Sequence, residues 1–174
     1  MKNIVATLSL LFATTLSAQV AIGKATVSSP AVSLEFYDNA DNTRGIILPW
    51  VTSTAAVTGA VNGTIVYNTA DRKVYVKYAS GWRDLSVDNT GTVTTTLQDS
   101  LTDQDTAKVL IGGDPATDTT PGILVLADTN KAMVLPKVAS PHLNIVNPSP
   151  GMMVYDTTKK QLAVFNGTVW SFWK

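Results

Sequence analysis

The chain repeats itself. Gly63-Thr-Ile-Val-Tyr-Asn-Thr69 and Gly151-Met-Met-Val-Tyr-Asp-Thr157 share Gly, Val, Tyr and Thr at a spacing of 88 residues. The register continues without a gap, placing Val74 and Val76 on Leu162 and Val164, and Trp82 on Trp170. Upstream, Leu48-Pro-Trp-Val-Thr-Ser53 matches Leu135-Pro-Lys-Val-Ala-Ser140 at a spacing of 87, and Ile22-Gly23 matches Ile111-Gly112 at 89. Matches in one order along the chain mean that a single structural unit occurs twice. The predicted organisation is a first unit over 19–86, a linker over 87–106 and a second unit over 107–174.

Periodicity gives the unit its class. In Lys73-Val-Tyr-Val-Lys-Tyr78, Val74, Val76 and Tyr78 face one way and Lys73, Tyr75 and Lys77 the other. That is the period-2 pattern of a half-buried strand. Ile65 and Tyr67 alternate in the same way in the preceding segment, and Ala79-Ser80-Gly81 turns the chain toward Trp82. In the second unit the corresponding turn is Asn166-Gly167, a hairpin signal because both residues accept positive φ. Each unit is therefore expected to end in a three-stranded meander. Ile46–Leu48 and Met133–Leu135 read as further strands stopped by proline, which has no N–H for a central ladder. The composition agrees: 24 Thr, 20 Val and 8 Ile against a single Glu favour sheet over helix. The fold class is all-β, two tandem small modules, with one or two helical turns around Leu97 and Leu101 as the only helix expected in the linker.

Composition also removes function classes. With no cysteine there is no disulfide, thiolate metal site or cysteine nucleophile. A net charge of zero argues against a nucleic-acid partner. Residues 1–18 read as a signal peptide: Lys2, an apolar run from Ile4 to Leu16, then Ser17-Ala18 before Gln19. The apolar run is shorter than the roughly 20 residues of a spanning helix, so no membrane span is expected in the mature chain. Export to the cell surface or the medium is expected, with the periplasm as the alternative.

The ordered set Gln19-Val-Ala-Ile-Gly23, Pro30, Leu48-Pro49, Gly63 to Thr69 and Tyr78-x-x-Gly-Trp82 resembles a repeated β-rich module. That module occurs in secreted and surface proteins of Bacteroidota and in phage tail-fibre or collar proteins. The second half follows the same pattern with Ile111-Gly112, Pro121, Leu135-Pro136, Gly151 to Thr157 and Phe165-Asn-Gly-Thr-Val-Trp170. The chain departs from it where Ala21 stands for the first Gly, and where Trp50 or Lys137 stands for the Arg after Leu-Pro. The resemblance implies a module near the base of longer surface or fibre proteins, trimeric in fibres. It also implies that Asp99-Ser-Leu101 and Asp105-Thr-Ala107 are similar to an O-glycosylation acceptor of the same bacteria, making Ser100 and Thr106 candidates. The plain reading is that a chain rich in Thr and Asp makes such strings by chance.

The chemical candidates are thin. His142, after Pro141, has no nucleophile-elbow serine to serve. Asp99, Asp103 and Asp105 lack the glycine and terminal Glu of a calcium loop. Gly112-Gly113-Asp114-Pro115 is a turn, not a phosphate cradle. No catalytic, metal or cofactor residue is assigned, and the chain is read as non-enzymatic. The aromatics carry more. Tyr67, Trp82, Tyr155, Trp170, Phe172 and Trp173 are candidates for packing within the unit or between subunits, because small β modules need large apolar side chains. Tyr75, flanked by Lys73 and Lys77 on the opposite face, is the candidate surface contact. The expected function is a structural, adhesin-like or fibre-like protein that works as a homo-oligomer, with a trimer as the favoured form and a surface glycan or protein as a further partner. The alternative is a carbohydrate-binding module using exposed aromatics.

Overall fold

Each Leu-Pro pair ends one strand and begins another, and this break divides each unit into two parts. The computed structural model describes residues 19–88, 90–102, 104 and 107–174. The signal segment, Asp103, Asp105 and Thr106 lie outside the described residues.

The first part of the first unit holds β1 (Val20–Ile22), β2 (Val32–Phe36) and β3 (Ile46–Ile47). After Pro49 come β4 (Trp50–Val51), a 3-10 turn over Thr54–Ala56, β5 (Ile65–Asn68), β6 (Lys73–Tyr78) and β7 (Gly81–Asp84). The second unit repeats the order as β8 (Val109–Ile111), β9 (Leu124–Leu126), β10 (Ala132–Val134) and β11 (Lys137–Val138). Then follow a one-turn helix α1 (Pro141–Asn144), β12 (Met152–Asp156), β13 (Gln161–Phe165) and β14 (Trp170–Trp173). The two expected meanders are β5-β6-β7 and β12-β13-β14, antiparallel throughout. Among the described residues the protein is all-β apart from α1 and short turns. The leucines of the linker sit by hydrogen-bonded turns over 96–100, with Leu97 and Leu101 both exposed.

The turn chemistry repeats along with the strands. Arg72 and Lys160, at the same place in the two hairpins, both take left-handed φ, 63° and 55°. At the Asn166-Gly167 turn, Gly167 has φ of 101° while Asn166 works differently from expectation. Its side chain Oδ1 accepts from Thr168 N and Val169 N at 2.9 and 2.8 Å, so Asn166 caps the loop through its amide rather than through a positive φ.

The units share sheets. β10 of the second unit pairs in parallel with β2 of the first, completing the sheet β1-β2-β10. β3 of the first unit pairs antiparallel with β12 of the second, in line with β11 along the same edge. The two meander sheets bury one core between them. Leu48, Tyr67, Val74, Val76 and Leu85 come from the first unit, Met153 and Val164 from the second, with Trp50, Met133, Leu135 and Trp173 closing the margins. A second core lies on the far face of the second meander, where Val138, Ile145, Met152, Val154, Ala163 and Phe165 pack together.

The start of the linker is part of this body. Thr168 Oγ1 donates to Thr90 O, Thr92 Oγ1 to Gly167 O, and Asn166 Nδ2 to Asp88 O. Val93 packs on the shared core.

Candidate functional site

Three surfaces carry the side chains of interest. The first is the seam between units. Tyr67 is fully buried, its ring tilted against Trp50 at 6.2 Å. Its hydroxyl donates to Asn166 O at 2.8 Å, across 99 residues of sequence. Burial pushes the phenol up to about 12, so it stays a donor at any physiological pH. Trp50 Nε1 donates to Pro150 O at 2.9 Å, and Trp173 Nε1 donates to Leu85 O. Arg83 lies over the Trp173 ring at 5.6 Å. Tyr155, the repeat partner of Tyr67, is only half-buried.

The second surface is the outer face of the first meander. Tyr75, Lys77, Trp82 and Asp84 are cross-strand neighbours there. Each already has a local partner. Tyr75 Oη donates to Asp71 Oδ2 at 2.6 Å, and burial together with that bond raises its pKa. Lys73 Nζ meets Asp84 Oδ2 at 2.7 Å, which raises the lysine pKa. Lys77 lies over the Trp82 ring at 5.9 Å. In the second unit the equivalent positions are Gln161, Ala163, Phe165, Trp170 and Phe172, and the face is apolar. Trp170 packs on Phe165 at 5.3 Å and His142 of α1 meets Phe172 edge-on at 5.7 Å. The structure therefore gathers Tyr75, Lys73, Lys77 and Trp82 on one face. It puts Trp170 and Phe172 on another and leaves Tyr67 and Trp173 at the seam. Ser100 is exposed on the linker turns, and Thr106 lies outside the described residues.

The third surface carries residues that sequence reasoning passed over. Glu35, the lone glutamate, is fully buried in β2. It accepts from Lys24 Nζ at 2.9 Å and from Ser28 N at 2.5 Å. Burial alone would raise its pKa, but the Ser28 N–H and the Lys24 ammonium outweigh it and hold the carboxyl below its usual 4.5. Asp38 binds Lys24 at 3.1 Å and Lys137 at 3.2 Å, and both lower its pKa. The signal was available: a single carboxylate inside the apolar run Val32-Ser-Leu-Glu-Phe36 needs a buried partner. Beside this network an open cleft of about 560 Å³ is lined by Ile22, Phe36, Tyr37, Asn42, Arg44 and Pro136.

Around β8 and β9 aliphatic side chains are exposed. Val109, Ile123 and Leu124, on and beside β8 and β9, are 57%, 66% and 47% exposed. Among the described residues no three acidic or histidine side chains gather where a metal could be held. No described helix is long and apolar enough to cross a membrane. The arrangement offers packing faces and strand edges.

The comparison with protein families bears on this geometry. Residues 114–173 match a phage tail-like trimerisation region. The match begins in the turn after β8 and runs through β14, so it takes in most of the second unit. That unit is thus similar to a phage tail-like module, and the similarity supports self-association of the chain. No curated protein and no solved structure matches the chain at a meaningful level of similarity.

Proposed function

We propose that this chain is a non-enzymatic, fibre-like structural protein that acts as a trimer, exported to the cell surface or its surroundings, where it serves as an adhesin-like base module. The observation that carries this reading is the match of 114–173 to a trimerisation region. That segment folds here as the sheet and cover of the second unit. The exposed aliphatic residues around β8 and β9 support it, because a monomer surface rarely leaves such a cluster bare. Ser100, exposed in the acidic linker, is the O-glycosylation candidate within it. Light scattering on residues 19–174 tests the reading. A particle of three times the chain mass is expected, and a monomer at all concentrations sinks it.

The second reading, a carbohydrate-binding module, rests on the outer face of the first meander, where Tyr75, Lys77 and Trp82 lie side by side. On this reading the aromatics would stack on sugar rings, and a signal on a glycan array lost in Trp82→Ala would favour it.

A further inference from the structure

The repeat makes one missing strand visible. In the first unit the parallel pair β1-β2 carries a third strand, β10, along the edge of β2 that faces away from β1. In the second unit the equivalent pair β8-β9 stands as a two-stranded sheet, and no strand among the described residues lies on the corresponding edge of β9. Val109 N donates to Ile123 O and Ala127 N to Ile111 O. The odd-numbered residues of β9 thus turn their backbone groups to β8, and those of Leu124 and Leu126 point to the open edge.

Two further features set this edge apart. A parallel ribbon of two strands is marginal by itself. And although β9 is short, the segment Gly122-Ile-Leu-Val-Leu126 contains no charge, no proline and no bulge to keep its edge from pairing.

The repeat also identifies the occupant. The strand on β2 comes from the following unit, so the strand on β9 should come from the unit that follows the second one. In a closed oligomer that is the first unit of a neighbouring copy, whose third strand is β3. Among the described strands β3 pairs only with β12; it is uncharged and has Ile47 52% exposed. We propose that β9 of one copy is extended by β3 of the next, in parallel, so that copies join head to tail. The repeat fixes the register. Met133 pairs with Leu34 and Val134 with Glu35. The equivalent contacts place Ile46 of the neighbour on Leu124 and Ile47 on Val125. A head-to-tail contact of this kind closes into a ring or runs into a filament. The proposal rests on the trimer reading above in taking the closed ring of three.

The absence of native cysteine makes the test direct. Ile46→Cys/Leu124→Cys and Ile47→Cys/Val125→Cys are prepared in the otherwise unchanged chain, with each single substitution as control. Light scattering on the reduced protein and circular dichroism are measured before oxidation. The expected result is a ladder of covalent dimer and trimer on a non-reducing gel for both double variants, with no trimer in the single ones. A reduced protein that is trimeric and folded but yields only monomer bands overturns the β9–β3 contact and leaves the trimer reading standing. A folded monomer before oxidation overturns that reading, and the contact with it. Should one pair fail to fold, the other gives the same two outcomes.

Discussion

Gly63 and Gly151 occupy the same place in the two repeats and both take left-handed φ, 90° and 78°. Their surroundings differ. A Cβ on Gly63 would meet nothing within 4 Å, whereas on Gly151 it would sit 2.9 Å from Tyr67 Cβ. Gly63→Ala should therefore cost only the backbone strain, about 1–2 kcal/mol. Gly151→Ala should cost more, because Tyr67 is locked by burial and by its bond to Asn166. Urea unfolding of the two variants checks the order. Equal midpoints would mean that Tyr67 gives way more easily than its packing implies. The repeat revealed both glycines as equivalent, but the neighbour of Gly151 comes from the other unit, and no local pattern carries that. Asn68 and Asp156 make the same point from the other direction. They are also equivalent, both are buried, and each caps the turn that follows through Oδ1, Asn68 to Ala70 N and Asp156 to Thr158 N. Here the contact is local, so the shared Asn/Asp-Thr motif was a sufficient clue.

At the scale of elements, the strands with period-2 alternation were legible because a sheet with one buried face writes its register into the sequence. The meanders follow directly from that, and the strands before Pro49 and Pro136 follow from the prolines that stop them. The sheet β1-β2-β10 was not legible, since three short parallel strands share no continuous pattern and β10 joins β2 from about 100 residues away, Val32 opposite Ala132. What fastens this sheet to its surroundings is the charge network. Lys24 holds Glu35 and Asp38, and Lys137, at the start of β11, holds Asp38 from the second unit. Both carboxyl pKa values are lowered in the fold. The stability they contribute is complete above their unfolded values and is lost as pH falls through the folded ones. Wild-type protein is expected to lose stability on acidification below about pH 4.5, the ordinary value for Glu35. Glu35→Gln should be less stable at neutral pH, because Lys24 loses a charged partner, and should show a shallower acid decline. Thermal melts between pH 3 and 7 measure both, and parallel pH curves would exclude the network as their source.

For the whole molecule, duplication suggests two separable modules, yet the strands cross between halves. β3 lies on β12, β10 lies on β2, and the central core draws on both meanders. Residues 19–86 or 107–174 expressed alone should therefore lack cooperative unfolding, and mixing the two should restore part of the native sheet signal. Tryptophan fluorescence and circular dichroism of the fragments test this, since a cooperative transition in either fragment would show that one repeat suffices. The exchange of strands also has a consequence for time. The ladders that join the halves pair residues about 100 positions apart, and loops of that length close slowly and late. The first half cannot finish its sheet until most of the second has been made. A chain of this design can close the ladder on its Ile46–Ile47 strand only after β12 has been made, more than 100 residues later.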